Sequence, residues 1–142
     1  NELLGIIRDG RDPSQDWGER MRDSLRLYLA YNQANPAVGR AFLVEIHAAG
    51  AAAWAKRDWG HEQFAEMQQR LYEQRRARRT DLPELPPEIF LAVIAALEEM
   101  VCAYMRRGRS DQMMELLPRA LFISEAIYGG NPVAIAALND SC

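Results

Sequence analysis

The sequence predicts an all-α protein: one domain, a bundle of about six helices, whose last two long helices pair with those of a second copy to form an intersubunit four-helix bundle. Three observations lead there. Ala, Leu, Glu, Gln and Arg dominate while threonine occurs once, at Thr80, so the chain is rich in strong helix formers. No stretch alternates apolar and polar residues for long enough to argue a strand. The two most apolar segments are the last two long helices, and each carries apolar residues on more than one side.

The elements follow in chain order. Residues 1–9 carry a helical pattern that stops at Gly10. Asp12-Pro13-Ser14 supplies N-cap and first-turn chemistry for a second helix, with Asp16 and Glu19, at capping-box spacing, as a competing start. That helix runs to about Gln33 with Trp17, Met21, Leu25, Tyr28 and Leu29 as its apolar stripe. Asn35 is a preferred N-cap and Pro36 suits the first helical position, so the chain turns a corner there. Val38, Phe42, Ile46 and Ala49 form the next stripe, with Glu45 on its flank, and Gly50 marks the following junction. A long helix over about 51–78 places Trp54, His61, Phe64, Ala65, Leu71 and Tyr72 on one side, with Trp59 and Met67 off that stripe. The linker Thr80–Pro87 holds three prolines and cannot be a helix interior.

Residues 88–107 place Phe90, Val93, Ile94, Leu97, Met100, Val101 and Tyr104 on one wide face, and the small, lightly polar Ala92, Ala95, Glu99 and Ala103 on the other. Residues 111–128 place Met114, Leu117, Leu121 and Tyr128 on one side and Leu116, Ala120, Ile123 and Ile127 on another. Pro118 either kinks this helix or marks its true start. A domain of this size cannot surround both helices, so the expected solution is a homodimer. Its interface would be Ala92, Ala95, Glu99 and Ala103 with Leu116, Ala120, Ile123 and Ile127. The competing arrangement is a monomer whose tail, Pro132–Leu138, covers them.

Composition excludes several classes of function. The chain has 142 residues and a net charge of −3, so it is no polyelectrolyte partner for nucleic acid as a whole. Cys102 and Cys142 form neither a disulfide framework nor a zinc pattern and fit a reducing, cytoplasmic setting. No apolar run reaches the ~18 residues needed to span a bilayer. There is no HExxH, paired ExxH, GxGxxG, Walker A or GxSxG motif, so no enzymatic centre, metal or cofactor is expected. Arg70, Arg75, Arg76, Arg78 and Arg79 are read first as cations suiting a helix C-terminus, and second as a nucleic-acid patch. His47 is expected to be exposed, on the side of its helix away from Phe42.

Short helices set at corners leave gaps that a parallel bundle would fill, and an apolar cavity with a few polar groups is the usual form of a small-molecule site. The expected wall is Tyr28, Phe42, Ile46, Trp54, Phe64, Phe90 and Ile94. Glu45, His61 and Glu98 are the polar candidates, with Glu45 or His61 expected to orient the ligand. The same aromatic residues also suit a closed core, which would make the domain a structural interaction module without a ligand.

The order DWGERMRDSLRLYLAYNQANPAVGRAFLVEIHAAG, then an arginine-ended helix, then IFLAVIAALEEMVCAYMRRGRSDQMMELLPRALFISEAIYGG resembles the C-terminal regulatory domain of TetR-family transcriptional regulators. The matching features are the helix–NP–helix–LVE corner and the EEM…RRGR…ELLP pair, and the resemblance covers nearly the whole chain. It implies a ligand-sensing, dimerising domain, most often of a repressor. Asn1–Asp9 would match the end of a helix connecting it to an upstream helix-turn-helix domain that this chain lacks, and residues 131–142 would be a C-terminal tail. DNA contact would belong to that upstream domain alone, and the last two long helices would match the family's dimerisation pair.

Overall fold

The computed structural model describes residues 2–9 and 14–139, and these are helical with no strand among them. Gly10, Asp12, Pro13, Cys142 and the side chain of His47, all invoked above, lie outside what is described. Among the described residues there are seven α-helices: α1 (Glu2–Asp9), α2 (Trp17–Ala34), α3 (Pro36–Gly39), α4 (Ala51–Arg76), α5 (Pro87–Arg106), α6 (Leu117–Tyr128) and α7 (Pro132–Asn139). A π-helical turn (Arg40–Val44) and a 3-10 turn (Glu45–Ala48) lie between α3 and α4, and a second 3-10 segment (Ser110–Leu116) leads into α6. Among the described residues no single helix is long and apolar enough to cross a membrane.

Local chemistry sets the boundaries. The start of α2 is the Asp16–Glu19 box: Asp16 Oδ1 accepts from the Glu19 N–H at 2.9 Å and Glu19 Oε2 accepts from the Asp16 N–H at 3.2 Å. Asn35 works the other way round from the sequence expectation. Its side chain donates to the Tyr31 carbonyl at 2.9 Å and closes α2, making no cap for the helix that follows. Pro36 does take the first position of α3. Gly50, at φ 83°, sits in the left-handed region just before α4, where a side chain would be strained.

The corner segment does not continue as one α-helix. Its winding changes because three tertiary contacts pin it to α5. Arg40 Nη2 donates to the Met105 carbonyl at 3.3 Å, and Cys102 Sγ donates to the Leu43 carbonyl at 3.3 Å. Gly39 lies so close to α5 that a β-carbon there would come within 2.3 Å of Met105 Cε.

Two apolar clusters hold the bundle. One joins Met21, Leu25, Tyr72, Phe90, Val93 and Tyr128; the rings of Phe90 and Tyr128 stack at 5.6 Å. The linker contributes Leu82 and Leu85 to it, both buried, so the proline-rich segment packs as a strap. The other cluster joins Leu29, Val101, Tyr104, Met105, Met113 and Leu116. Four of the five arginines of the basic run have partners. Arg75 donates to the Tyr128 carbonyl at 3.0 Å, and Arg76, Arg79 and Arg70 pair with Glu73, Asp81 and Glu66.

The outward faces of α5 and α6 differ in part from expectation. Ala92, Ala95 and Glu99 are exposed and Ala103 is half-buried. Leu116 and Ala120, assigned above to an intersubunit face, are instead buried in the chain's own clusters, and Ile127 packs against the first of them. Ile123 is half-buried, and the large apolar side chain that α6 presents to solvent is Phe122, 74% exposed. Pro118 lies in the first turn of α6, so it marks the start of that helix.

Candidate functional site

A cavity of about 510 Å3 lies between α1, α2, the α3 corner, α4 and α5. Its lining comes from both sides of the corner at Pro36, from α2 before it and from the short α3, the turn after it and α4 beyond. α2 contributes Met21, Ser24, Leu25, Tyr28, Tyr31 and Asn32 to the wall; the corner contributes Val38, Gly39, Phe42 and Leu43. From α4 come Lys56, Arg57, Trp59, Gly60, His61, Phe64, Met67 and Gln68, and from α5 Ile94, Leu97 and Glu98. Val38, Phe42 and Trp59 are between 43% and 50% exposed and form the mouth.

Six of the ten residues expected around the cavity are there: Tyr28, Phe42, His61, Phe64, Ile94 and Glu98. The other four are elsewhere. Phe90 is fully buried between Tyr72 and Tyr128, Ile46 is buried off the cavity, Glu45 is exposed, and Trp54 is 38% exposed with the Arg57 guanidinium 5.4 Å from its ring centroid. Trp59 and Met67, read as lying off the α4 stripe, face the cavity instead.

The polar end is built from one turn of α4 and one residue of α5. Arg57 and His61 are four residues apart and share a helix face. Glu98 lies opposite, buried, on the same inner stripe as Ile94 and Val101. Arg57 Nε and Nη2 donate to Glu98 Oε1 at 2.9 and 2.6 Å, and His61 Nε2 bonds Glu98 Oε2. Burial alone would raise the Glu98 carboxyl; the hydrogen bonds and charges of His61 and Arg57 outweigh it and hold the group below its ordinary value of 4.5. Because an ionised carboxylate only accepts, His61 Nε2 must carry its proton in this contact. Tyr28 stands nearby, its hydroxyl pushed strongly up by burial first and then by the charges of Glu98 and Cys102, so it remains a donor.

Other polar atoms meet the cavity away from this cluster. Ser24 Oγ is buried without a hydrogen-bond partner among the described residues. Gln68 accepts from the Tyr128 hydroxyl through Oε1, and Asn32 donates to the Tyr28 carbonyl at 2.9 Å. Among the described residues no three His, Cys, Asp or Glu side chains converge as a metal site would require.

Sequence reasoning named His61 and Glu98 separately and missed Arg57. The signal was present: a lone carboxylate on the buried stripe of α5 needs a cation, and Arg57 with His61 is the one basic i, i+4 pair in the first half of α4. Comparison of the chain with known protein families, with curated proteins and with solved structures finds no match.

Proposed function

We propose that this chain is the effector-binding and dimerising domain of a TetR-like transcriptional regulator, sensing a small, largely apolar molecule. The observation that carries the reading is the cavity itself: about 510 Å3, walled by Tyr28, Phe42, Trp59, Phe64 and Ile94, with a compact buried polar cluster at one end. That volume lies within the range of small-molecule sites, and the balance of apolar wall to few polar groups is the one such sites have. The domain reads as a sensor and not an enzyme, since the one buried carboxylate that could act as a base is committed to Arg57 and His61 and activates no nucleophile. In this reading DNA contact belongs to a helix-turn-helix segment outside this chain.

The exposed face of α5 and α6 supports the dimer. Leu91, Ala92, Ala95 and Phe122 leave apolar area in water, and an intersubunit four-helix bundle would cover it. A twofold assembly through these helices would let a change at the cavity alter the spacing of two upstream DNA-reading heads.

The test is a thermal-shift panel of small aromatic molecules. A ligand of the folded state raises the melting temperature by mass action, and the shift should vanish in Gly60→Trp, which fills the cavity wall where nothing lies within 4 Å of a new β-carbon. Shifts that persist in Gly60→Trp, or none across the panel, would count against the sensing role. For the dimer, light scattering should give twice the chain mass, falling to one in Phe122→Glu.

A further inference from the structure

The charge and donor inventory of the cavity wall goes further than the presence of a ligand, and bears on its chemistry. Glu98 is the buried carboxylate of the wall, and its two oxygens already accept three hydrogen bonds, two from Arg57 and one from His61. It has little capacity left for an incoming donor or cation. The other carboxylate on the wall, Glu2, is exposed on α1 and accepts from the Tyr31 hydroxyl at 3.2 Å.

The donors are not used up. A guanidinium carries five N–H groups in a planar fork. Nε and Nη2 of Arg57 serve Glu98, while Nη1 has only the exposed Asp58 carboxylate at 3.8 Å, too far for a hydrogen bond. His61 adds no donor, because with its proton on Nε2 and given to Glu98 its Nδ1 is an acceptor. The Tyr28 hydroxyl makes no hydrogen bond among the described residues. At the mouth, the Lys56 ammonium lies 5.3 Å from the Phe42 ring centroid and has no carboxylate within ion-pairing distance among the described residues. The unspent charged donors of the cavity are therefore Arg57 Nη1 and Lys56, while its free acceptors Ser24 Oγ and His61 Nδ1 are neutral, within a chain whose net charge is −3.

We propose that the cavity selects a monoanionic aromatic molecule, its single oxyanion held by Arg57 and the Tyr28 hydroxyl and its rings lying against Phe64 and Trp59. The inference rests on reading the cavity as a ligand site. A cation would meet Arg57 and Lys56 with the one buried carboxylate already saturated. A neutral hydrocarbon would gain burial but leave the free N–H groups of Arg57 without an acceptor after water is displaced, which a charged acceptor avoids.

A matched pair of fluorescent probes tests this: 1-anilinonaphthalene-8-sulfonate and N-phenyl-1-naphthylamine, which share a skeleton and differ by the anionic group. The sulfonate should bind about tenfold tighter or better, the scale of one charge-assisted hydrogen bond in a water-poor site. In the double variant Arg57→Leu/Glu98→Leu, which removes the pair together and strands neither charge, the ratio of the two affinities should fall to within about threefold of unity. A melting transition in that variant verifies that it folds. Gly60→Trp should lose both probes. Equal affinities in the parent chain, a tighter neutral probe, or a preference that survives the double variant would overturn the anion inference while leaving the cavity reading intact. Sulfonate binding that survives Gly60→Trp would overturn it as a surface effect, and failure of both probes to bind the parent chain would overturn both readings.

Discussion

The indole N–H of Trp17 donates to Glu125 Oε1 at 3.0 Å, tying the first turn of α2 to the last turn of α6. Its ring meets Tyr128 edge-on at 5.9 Å and carries the Arg75 guanidinium at 4.9 Å. Trp17→Phe keeps an aromatic ring and deletes the donor, so it should cost about 1–2 kcal/mol from one lost hydrogen bond plus reduced ring contact. Urea unfolding measures it; a change under about 0.5 kcal/mol, the scale of an ordinary surface substitution, would mean the indole is peripheral.

Glu98 predicts a pH dependence of known sign. Its folded value lies below 4.5 because its partners favour the carboxylate. The unfolded chain therefore takes up a proton first, and the stability this group contributes is present above about 4.5 and is lost as the pH falls through the lower, folded value. Urea midpoints from pH 7 down to pH 3 should show that loss in the parent chain and a shallower loss in Arg57→Leu/Glu98→Leu. Arg57→Ala alone, which strands the buried carboxylate, should cost about 3 kcal/mol at pH 7.

Two glycines inside or beside helices should respond oppositely to alanine. At Gly60 in α4 a β-carbon meets nothing within 4 Å, so Gly60→Ala should stabilise by about 0.5–1 kcal/mol through backbone entropy. At Gly39 it would collide with Met105 Cε at 2.3 Å and Asn32 Oδ1 at 2.9 Å, and both neighbours are buried. Gly39→Ala should therefore cost about 1–3 kcal/mol by overpacking. Thermal melts of the two variants, run side by side, decide it.

Cys102 should be nearly inert. Burial first, then the charges of Glu98 and Glu99, push its thiol up to about 11, and its Sγ–H is committed to the Leu43 carbonyl. With Cys142 replaced by Ser, iodoacetamide at pH 8 should alkylate the native chain at least about tenfold more slowly than the urea-unfolded chain. Equal rates would place the thiol in solvent.

Helix boundaries were legible where local chemistry sets them, at Pro36, Gly50 and the proline-rich stretch before α5; α2 took the Asp16–Glu19 box, the second of the two starts read for it, and α6 begins at Leu117 and not at residue 111. The winding after Pro36 was not, because its pitch is set by Arg40, Leu43 and Gly39 meeting α5 some 60 residues later. The facing of α6 failed because the helix was read as starting at residue 111. Residues 110–116 are instead a 3-10 segment broken at Gln112, whose backbone is not helical, so a face traced across it at the α-helical pitch does not carry into α6. In α4 the difficulty was different: Trp54, Trp59, Phe64 and Met67 ring the helix, so no single stripe stands out, and only the opposing elements decide which side meets the cavity.

The two apolar clusters share Met100 and Leu117 as the half-buried side chains packed against both, and the cavity wall draws Leu25, Phe64 and Leu97 from one and Tyr28 and Leu43 from the other. Apolar contact between the two ends is thus narrow where the hollow lies. If the two clusters open as separate cooperative units, backbone amides around Phe90 and Tyr128 and those around Val101 and Met113 should each exchange with deuterium at their own opening free energy. A molecule filling the hollow would touch both, drawing the two exchange rates down together and merging two units into one.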